Sequence, residues 1–136
     1  MKYDDASWHH GGDFPKDLPP EAGATHTGMF LALAGELHLE DSPEGIAALR
    51  ERSTTPGAFF MRFCDGKFTD EDLSEARNLF ASKYFNFETG NYLSDYCAAV
   101  GINIHRIYYA PDTWENFDRL KPVLEKRYAE WKRKQG

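Results

Sequence analysis

The sequence predicts a mostly α-helical protein with an extended N-terminal arm and at most a minor strand element, with α+β as the alternative class. Three observations carry this. Helix-start signals recur ahead of apolar runs, at Ser42-Pro43-Glu44, at Thr55-Pro56 and at Thr69 with Asp72 three residues on. Toward the C-terminus Phe117, Leu120, Leu124, Tyr128 and Trp131 recur at helical spacing. Only INIHRIYYA alternates, with enough β-branched and aromatic residues, as a strand would. At 136 residues the chain reads as one domain, long enough to bury about two thirds of its unfolded surface. Residues 1–19 are expected to pack as an arm on the helical core.

Along the arm, Gly11, Gly12, Pro15 and Pro19 predict irregular or extended backbone. Pro20 suits a first helical position with Glu21 in the first turn, and a helix over 20–38 places Ala22, His26, Phe30, Leu33 and Leu37 on one face. His26 therefore points to the core. Short helices follow through IAALRER, and through GAFFMRFC up to Asp65-Gly66. A helix over 69–86 carries Leu73, Ala76, Phe80 and Tyr84 as its apolar stripe, while Asp70, Glu71, Asp72 and Glu75 crowd its start, where the macrodipole favours them. Gly90-Asn91 marks a turn, YLSDYCAAV a short helix ending at Gly101, and INIHRIYYA a strand that pairs with the arm near Tyr3 or runs without a ladder. A helix over 112–133 closes the chain, with a kink or restart expected at Pro122.

Charge narrows the partners. The formal net charge is −6; residues 1–75 hold 15 acidic against 6 basic side chains, a formal −9, and residues 76–136 hold 7 against 10, or +3. Nucleic acid is a poor fit, because phosphate binding needs clustered Lys and Arg. The one basic cluster, Lys132, Arg133 and Lys134, complements the dipole at a helix end. GMFLALAG is too short to span a bilayer. Lys2, Tyr3, Asp4 and Asp5 after Met1 do not form a secretory signal. Cys64 and Cys97 lack metal-ligand spacing, which favours a reduced, cytoplasmic chain with no membrane partner.

The opening stretch KYDDASWHHGGDFPKDLPPEAGATH gathers Asp4, Asp5, Asp13, Asp17, His9, His10, His26 and Trp8. A metal-dependent hydrolase built on His9, His10, Asp13 and His26 has the right ligand atoms, but no HExxH or other compact motif supports it. Neither cysteine sits in a nucleophile setting, no serine lies in a GxSxG elbow, and there is no P-loop or GxGxxG. We therefore assign no catalytic residue, metal or cofactor at this level. Instead the stretch reads as a polar seam of Asp4, Asp5, Trp8, His9, Asp13 and His26 that fastens the arm to the first helix. An aspartate of the arm would satisfy buried His26, and Trp8 would serve as the buried anchor. Tyr108, Tyr109 and Trp114, beside Arg106 and Asp112, have the composition of a binding hot spot.

KYDDASWH, GDFPKDLPPEAGATH, TPGAF followed by CDGKFTDEDL, and PDTWENFDRLKPVLEKRYAEW together resemble a family of small bacterial proteins known as a domain of unknown function. The similarity runs over nearly the whole chain and brings no catalytic or ligand residues with it. It implies a bacterial, cytoplasmic protein. Small acidic domains of this kind are similar in size and charge to immunity proteins that neutralise contact-dependent toxins. The expected function is accordingly non-enzymatic protein binding, with Asp70, Glu71, Asp72 and Glu75 offered to a basic toxin domain.

Overall fold

Phe30 lies among rings drawn from four segments, and this cluster organises the structure, a computed structural model describing residues 2–9, 14–33, 43–88 and 90–135. Its ring centroid is 4.9 Å from Phe85, 5.1 Å from Tyr92 and 5.8 Å from Phe68. Offset and edge-on pairs of this kind add about 0.5–1.5 kcal/mol each beyond the area they bury. The α-helices among the described residues are α1 (Thr25–Leu33), α2 (Pro43–Glu51), α3 (Pro56–Phe63), α4 (Glu75–Tyr84), α5 (Tyr92–Val100) and α6 (Trp114–Gln135). A small antiparallel pair, β1 (Lys2–Asp5) with β2 (Lys67–Thr69), completes the mostly α architecture. None of the described helices is long and apolar enough to cross a membrane.

α1 is central. Every residue from Thr25 to Leu31 is buried, so the helix has no solvent face and the one-sided stripe expected for it does not apply. A 3-10 turn over Pro20–Ala24 leads into it, so the α-helix begins at Thr25 rather than at Pro20. Leu37 and the remainder of the expected 20–38 helix fall outside the described residues, as does Ser42. α1 packs chiefly on α3, and α5 on α6. Gly28 permits the first of these contacts: a Cβ there would lie 2.3 Å from the Pro56 carbonyl oxygen.

Several sequence expectations are corrected by local hydrogen bonding. The segment INIHRIYYA is not a strand; Ile104–Tyr109 forms 3-10 turns, started by Asn103, whose side-chain oxygen accepts from the His105 amide at 2.9 Å. Strand β1 instead pairs with β2, with Asp4 opposite Phe68 and an irregularity between Lys2 and Asp4. Thr69 and Asp72 do form a reciprocal capping box, but it starts only a 3-10 turn, Asp70–Asp72. Leu73 then returns to extended backbone, and Ser74 caps α4 by accepting from the Arg77 amide. Ala76 is consequently exposed, while Phe80 and Tyr84 keep the core positions expected of them. α6 continues through Pro122 without a restart.

Trp8 is not the buried anchor expected. It is 57% exposed, on a 3-10 turn (Ala6–His9), with the Lys2 ammonium 5.5 Å from its ring. The arm is held by the β-pair, by Ala6 donating to the Gly66 carbonyl at 2.7 Å, and by the Tyr3 hydroxyl on the Asn78 side chain at 2.8 Å.

Two outcomes follow for stability. Gly28→Ala overpacks the α1–α3 contact against backbone and lowers stability by about 1–3 kcal/mol, read as a lower urea midpoint at unchanged m. Trp8→Ala, with more than half its area already in water, costs about 1–2 kcal/mol rather than the 3–5 of a buried tryptophan, by the same measurement.

Candidate functional site

Asp4 is 0% exposed, although it lies only four residues into the chain. The β1–β2 ladder sets its direction, facing it toward the start of α1, where His26 and Thr27 stand side by side. Its Oδ1 accepts from the Asp5 amide at 2.8 Å and lies 2.7 Å from His9 Nε2. Its Oδ2 accepts from the Thr27 hydroxyl and lies 3.4 Å from His26 Nε2. Asp4 thus holds both histidines of the described opening stretch by the same ring nitrogen. Their rings meet edge-on at 4.7 Å.

Electrostatics follow from burial and donors. Burial alone would raise the Asp4 carboxyl, but hydrogen bonds from His26 and His9, aided by their charge, outweigh it and hold the group well below the usual carboxylate range. Burial pushes the His26 imidazole down, against the pull of Asp4. Because an ionised carboxylate only accepts, His9 Nε2 donates to it, and in the neutral ring Nδ1 accepts from the Tyr108 hydroxyl at 2.6 Å. Tyr108 in turn lines a depression of about 260 Å³ shared with Trp8, His9, Phe14 and Arg106. The cluster therefore reaches the surface through His9 and Tyr108.

Asp4, His9 and His26, grouped in the seam read from sequence, lie together in the structure, with Asp4 2.7 Å from His9 Nε2 and 3.4 Å from His26 Nε2. His10 and Asp13, the other residues of the metal-ligand set read from sequence, lie outside the described residues. Asp5 contributes its amide to Asp4, while its own carboxylate accepts from Lys2 at 2.9 Å and from Ser7. The reading missed Thr27, a polar residue in a run that packs on all sides, whose only signal was its adjacency to His26. Tyr108, a partner-binding candidate from sequence, is hydrogen-bonded to His9 Nδ1 at 2.6 Å.

The aromatic candidates do not share one surface. Tyr109 donates to Asp17 at 2.8 Å with Arg106 stacked 4.3 Å from its ring. Trp114 lines a different depression, donates to the Thr54 carbonyl at 2.8 Å and carries Arg52 4.6 Å from its ring. Asp112 is structural: it accepts from Thr55 at 2.6 Å and from the Gly57 amide at 2.8 Å at the start of α3. The Cys64 thiol is pushed up to about 12 by burial and by the nearby charges of Asp72 and Asp65, which keeps it protonated and a poor nucleophile.

What the cluster can do chemically is limited to a few roles. Asp4, His9 and His26 each offer a ligand atom, all within 4.8 Å of one another, a set suited to a divalent transition metal. Without metal the same atoms form a closed hydrogen-bond network that binds the arm to α1.

The family model for the domain of unknown function DUF7832 matches residues 2–110, and the chain belongs to that family. That span takes in the arm, the cluster and the acidic turn, and leaves α6 outside. No curated protein and no solved structure matches the chain.

The network has a definite pH signature in protein kept free of metal by a chelator. His26 is depressed below its unfolded value near 6.5, so beneath that pH the unfolded chain binds the extra proton and stability falls. Asp4 is depressed below its unfolded value near 3.9, and a second loss sets in there as pH falls toward its folded value. Thermal midpoints measured from pH 8 to pH 3 should decline in these two windows, and His26→Gln should abolish the upper one.

Proposed function

We propose that the chain is a non-enzymatic protein-binding domain of the immunity type, whose acidic turn docks on a basic toxin domain. The observation that carries this reading is a doubly capped acidic segment whose Glu71, Asp72 and Glu75 meet no cation among the described residues. Thr69 and Asp72 lock Asp70–Asp72 by a capping box, and Ser74 caps the helix that begins at Glu75. No ion pair among the described residues joins Glu71, Asp72 or Glu75 to a cation. The Asp72 carboxyl is raised, chiefly by burial, against the Thr69 amide and with the charges of Glu71 and Asp70 adding to the rise. A negative field accelerates encounter with a positively charged surface, such as a nuclease shaped to hold phosphates, and it does so before any contact forms. The excess of acids over residues 1–75 extends the same sign beyond the turn.

The test is kinetic. A basic partner co-purified from the native cell should associate at a rate that falls about tenfold or more as salt is raised from about 0.05 M to about 0.5 M. Glu71→Lys with Glu75→Lys should slow association comparably while leaving the thermal midpoint in place. Asp72 is left intact, since its carboxylate accepts from the Thr69 amide at 2.9 Å and reversal there would damage the cap. A rate indifferent to salt and to both substitutions would refute the reading.

A further inference from the structure

We propose that Asp4, His9 and His26 form a three-ligand binding site for a divalent transition metal of the zinc class, which clamps the N-terminal arm to α1. This goes beyond the protein-binding reading and does not depend on it. The first support is convergence. Two imidazoles reached from different segments, one on the arm and one on α1, aim Nε2 at the two oxygens of a single buried carboxylate, at 2.7 and 3.4 Å. Ligand atoms each about 2.0–2.1 Å from a tetrahedral zinc lie about 3.3 Å apart. The His26–Oδ2 distance already matches, the His9–Oδ1 distance needs to open by about half an ångström, and the widest pair of ligand atoms, now within 4.8 Å, needs to close. His9, at 14% side-chain exposure, is the ligand with room to move.

The second support is charge. Buried carboxylates are ordinarily paired with a cation or coordinate a metal. Among the described ion pairs Asp4 meets only the two histidines, with no lysine or arginine. A divalent ion would supply a fixed positive charge where the imidazoles supply one only when protonated.

The third support is the surrounding shell. Metal-bound histidines donate their other ring N–H to a fixed acceptor, and bound carboxylates are themselves hydrogen-bonded. Tyr108 stands 2.6 Å from His9 Nδ1, and a phenol accepts as readily as it donates. On metal binding the ring proton of His9 moves from Nε2 to Nδ1 by exchange with solvent, the ring shifts by about half an ångström, and Nδ1–H donates to the Tyr108 oxygen. The Asp5 amide and the Thr27 hydroxyl hold the carboxylate as well, one donating to each oxygen.

Cobalt(II) is the probe for geometry and zinc for affinity. Titrating chelator-stripped full-length protein with cobalt(II) should produce visible d–d absorption saturating at one equivalent, and zinc should displace it and raise the thermal midpoint. His9→Gln, at the more exposed of the two histidine ligands, should abolish the absorption while circular dichroism stays native. Tyr108→Phe keeps all three ligands but removes the acceptor, and should weaken zinc binding about 10–100-fold. A purely structural hydrogen-bond seam predicts none of these metal readouts. Absence of cobalt absorption from the folded wild-type chain, or binding that survives His9→Gln unchanged, overturns the proposal.

Discussion

Burying the Asp4 carboxylate obliges each of its oxygens to find donors, because an ionised group moved out of water costs several kcal/mol unless it is paired and hydrogen-bonded. The donors come from separate places: the next amide in the chain, a histidine five residues on, and a threonine and a histidine at the start of α1. None can be reached unless the arm lies in its β1–β2 register. A one-residue slip would turn Asp4 to the opposite face and leave His26 and Thr27 facing an apolar side chain or a void. The polar cluster therefore specifies the arm's position more sharply than hydrophobic contact does, since Trp8 stays largely in water.

Carboxylates serve elsewhere as connectors. Asp95 accepts from Tyr84 at 2.6 Å and takes the Arg127 guanidinium at 2.9 and 3.1 Å, joining α4, α5 and α6. Asp112 closes the N-terminus of α3 from the segment before α6. Asp118 pairs with Arg52 across the surface. These acids are matched one for one by donors or cations, so they add little to the external field. Asp72 accepts only from the Thr69 amide at 2.9 Å, and neither it nor Glu71 or Glu75 meets a cation among the described residues.

Much of this was legible in the sequence, and the failures have identifiable physical causes. Thr55-Pro56 and Thr69 with Asp72 acted as caps, because side-chain oxygens satisfy the first amides of a turn whatever follows. Periodicity located α6 and α5. It failed at α1, where burial on every side erases the polar stripe on which face assignment depends, and at 104–109, where an asparagine cap outweighed an alternating pattern of isoleucine and tyrosine. The histidine–aspartate seam was legible as composition but not as geometry. Which aspartate meets which histidine depends on pairing between residues 4 and 68, and no local signal encodes contacts at that separation. Trp8 misled because size was taken for burial.

The two sites are mechanically joined by one strand. In the β1–β2 register Lys2 stands opposite Thr69, and Thr69 is the cap from which Asp70–Asp72 springs. The Tyr3 hydroxyl, raised by burial and by the charge of Asp70, rests on Asn78, whose side-chain amide donates to the Asp70 carbonyl at 2.7 Å. Docking of the arm thus fixes both ends of the acidic turn, its start through β2 and its end through Asn78, whose side-chain amide also donates to the Leu73 carbonyl at 3.2 Å. Whatever strengthens the grip on Asp4 restrains the backbone that carries Glu71 and, in the binding role proposed above, reduces the freedom lost on meeting a partner. In a surface that acts by preorganised charge, lowering that entropic cost raises affinity without any new contact.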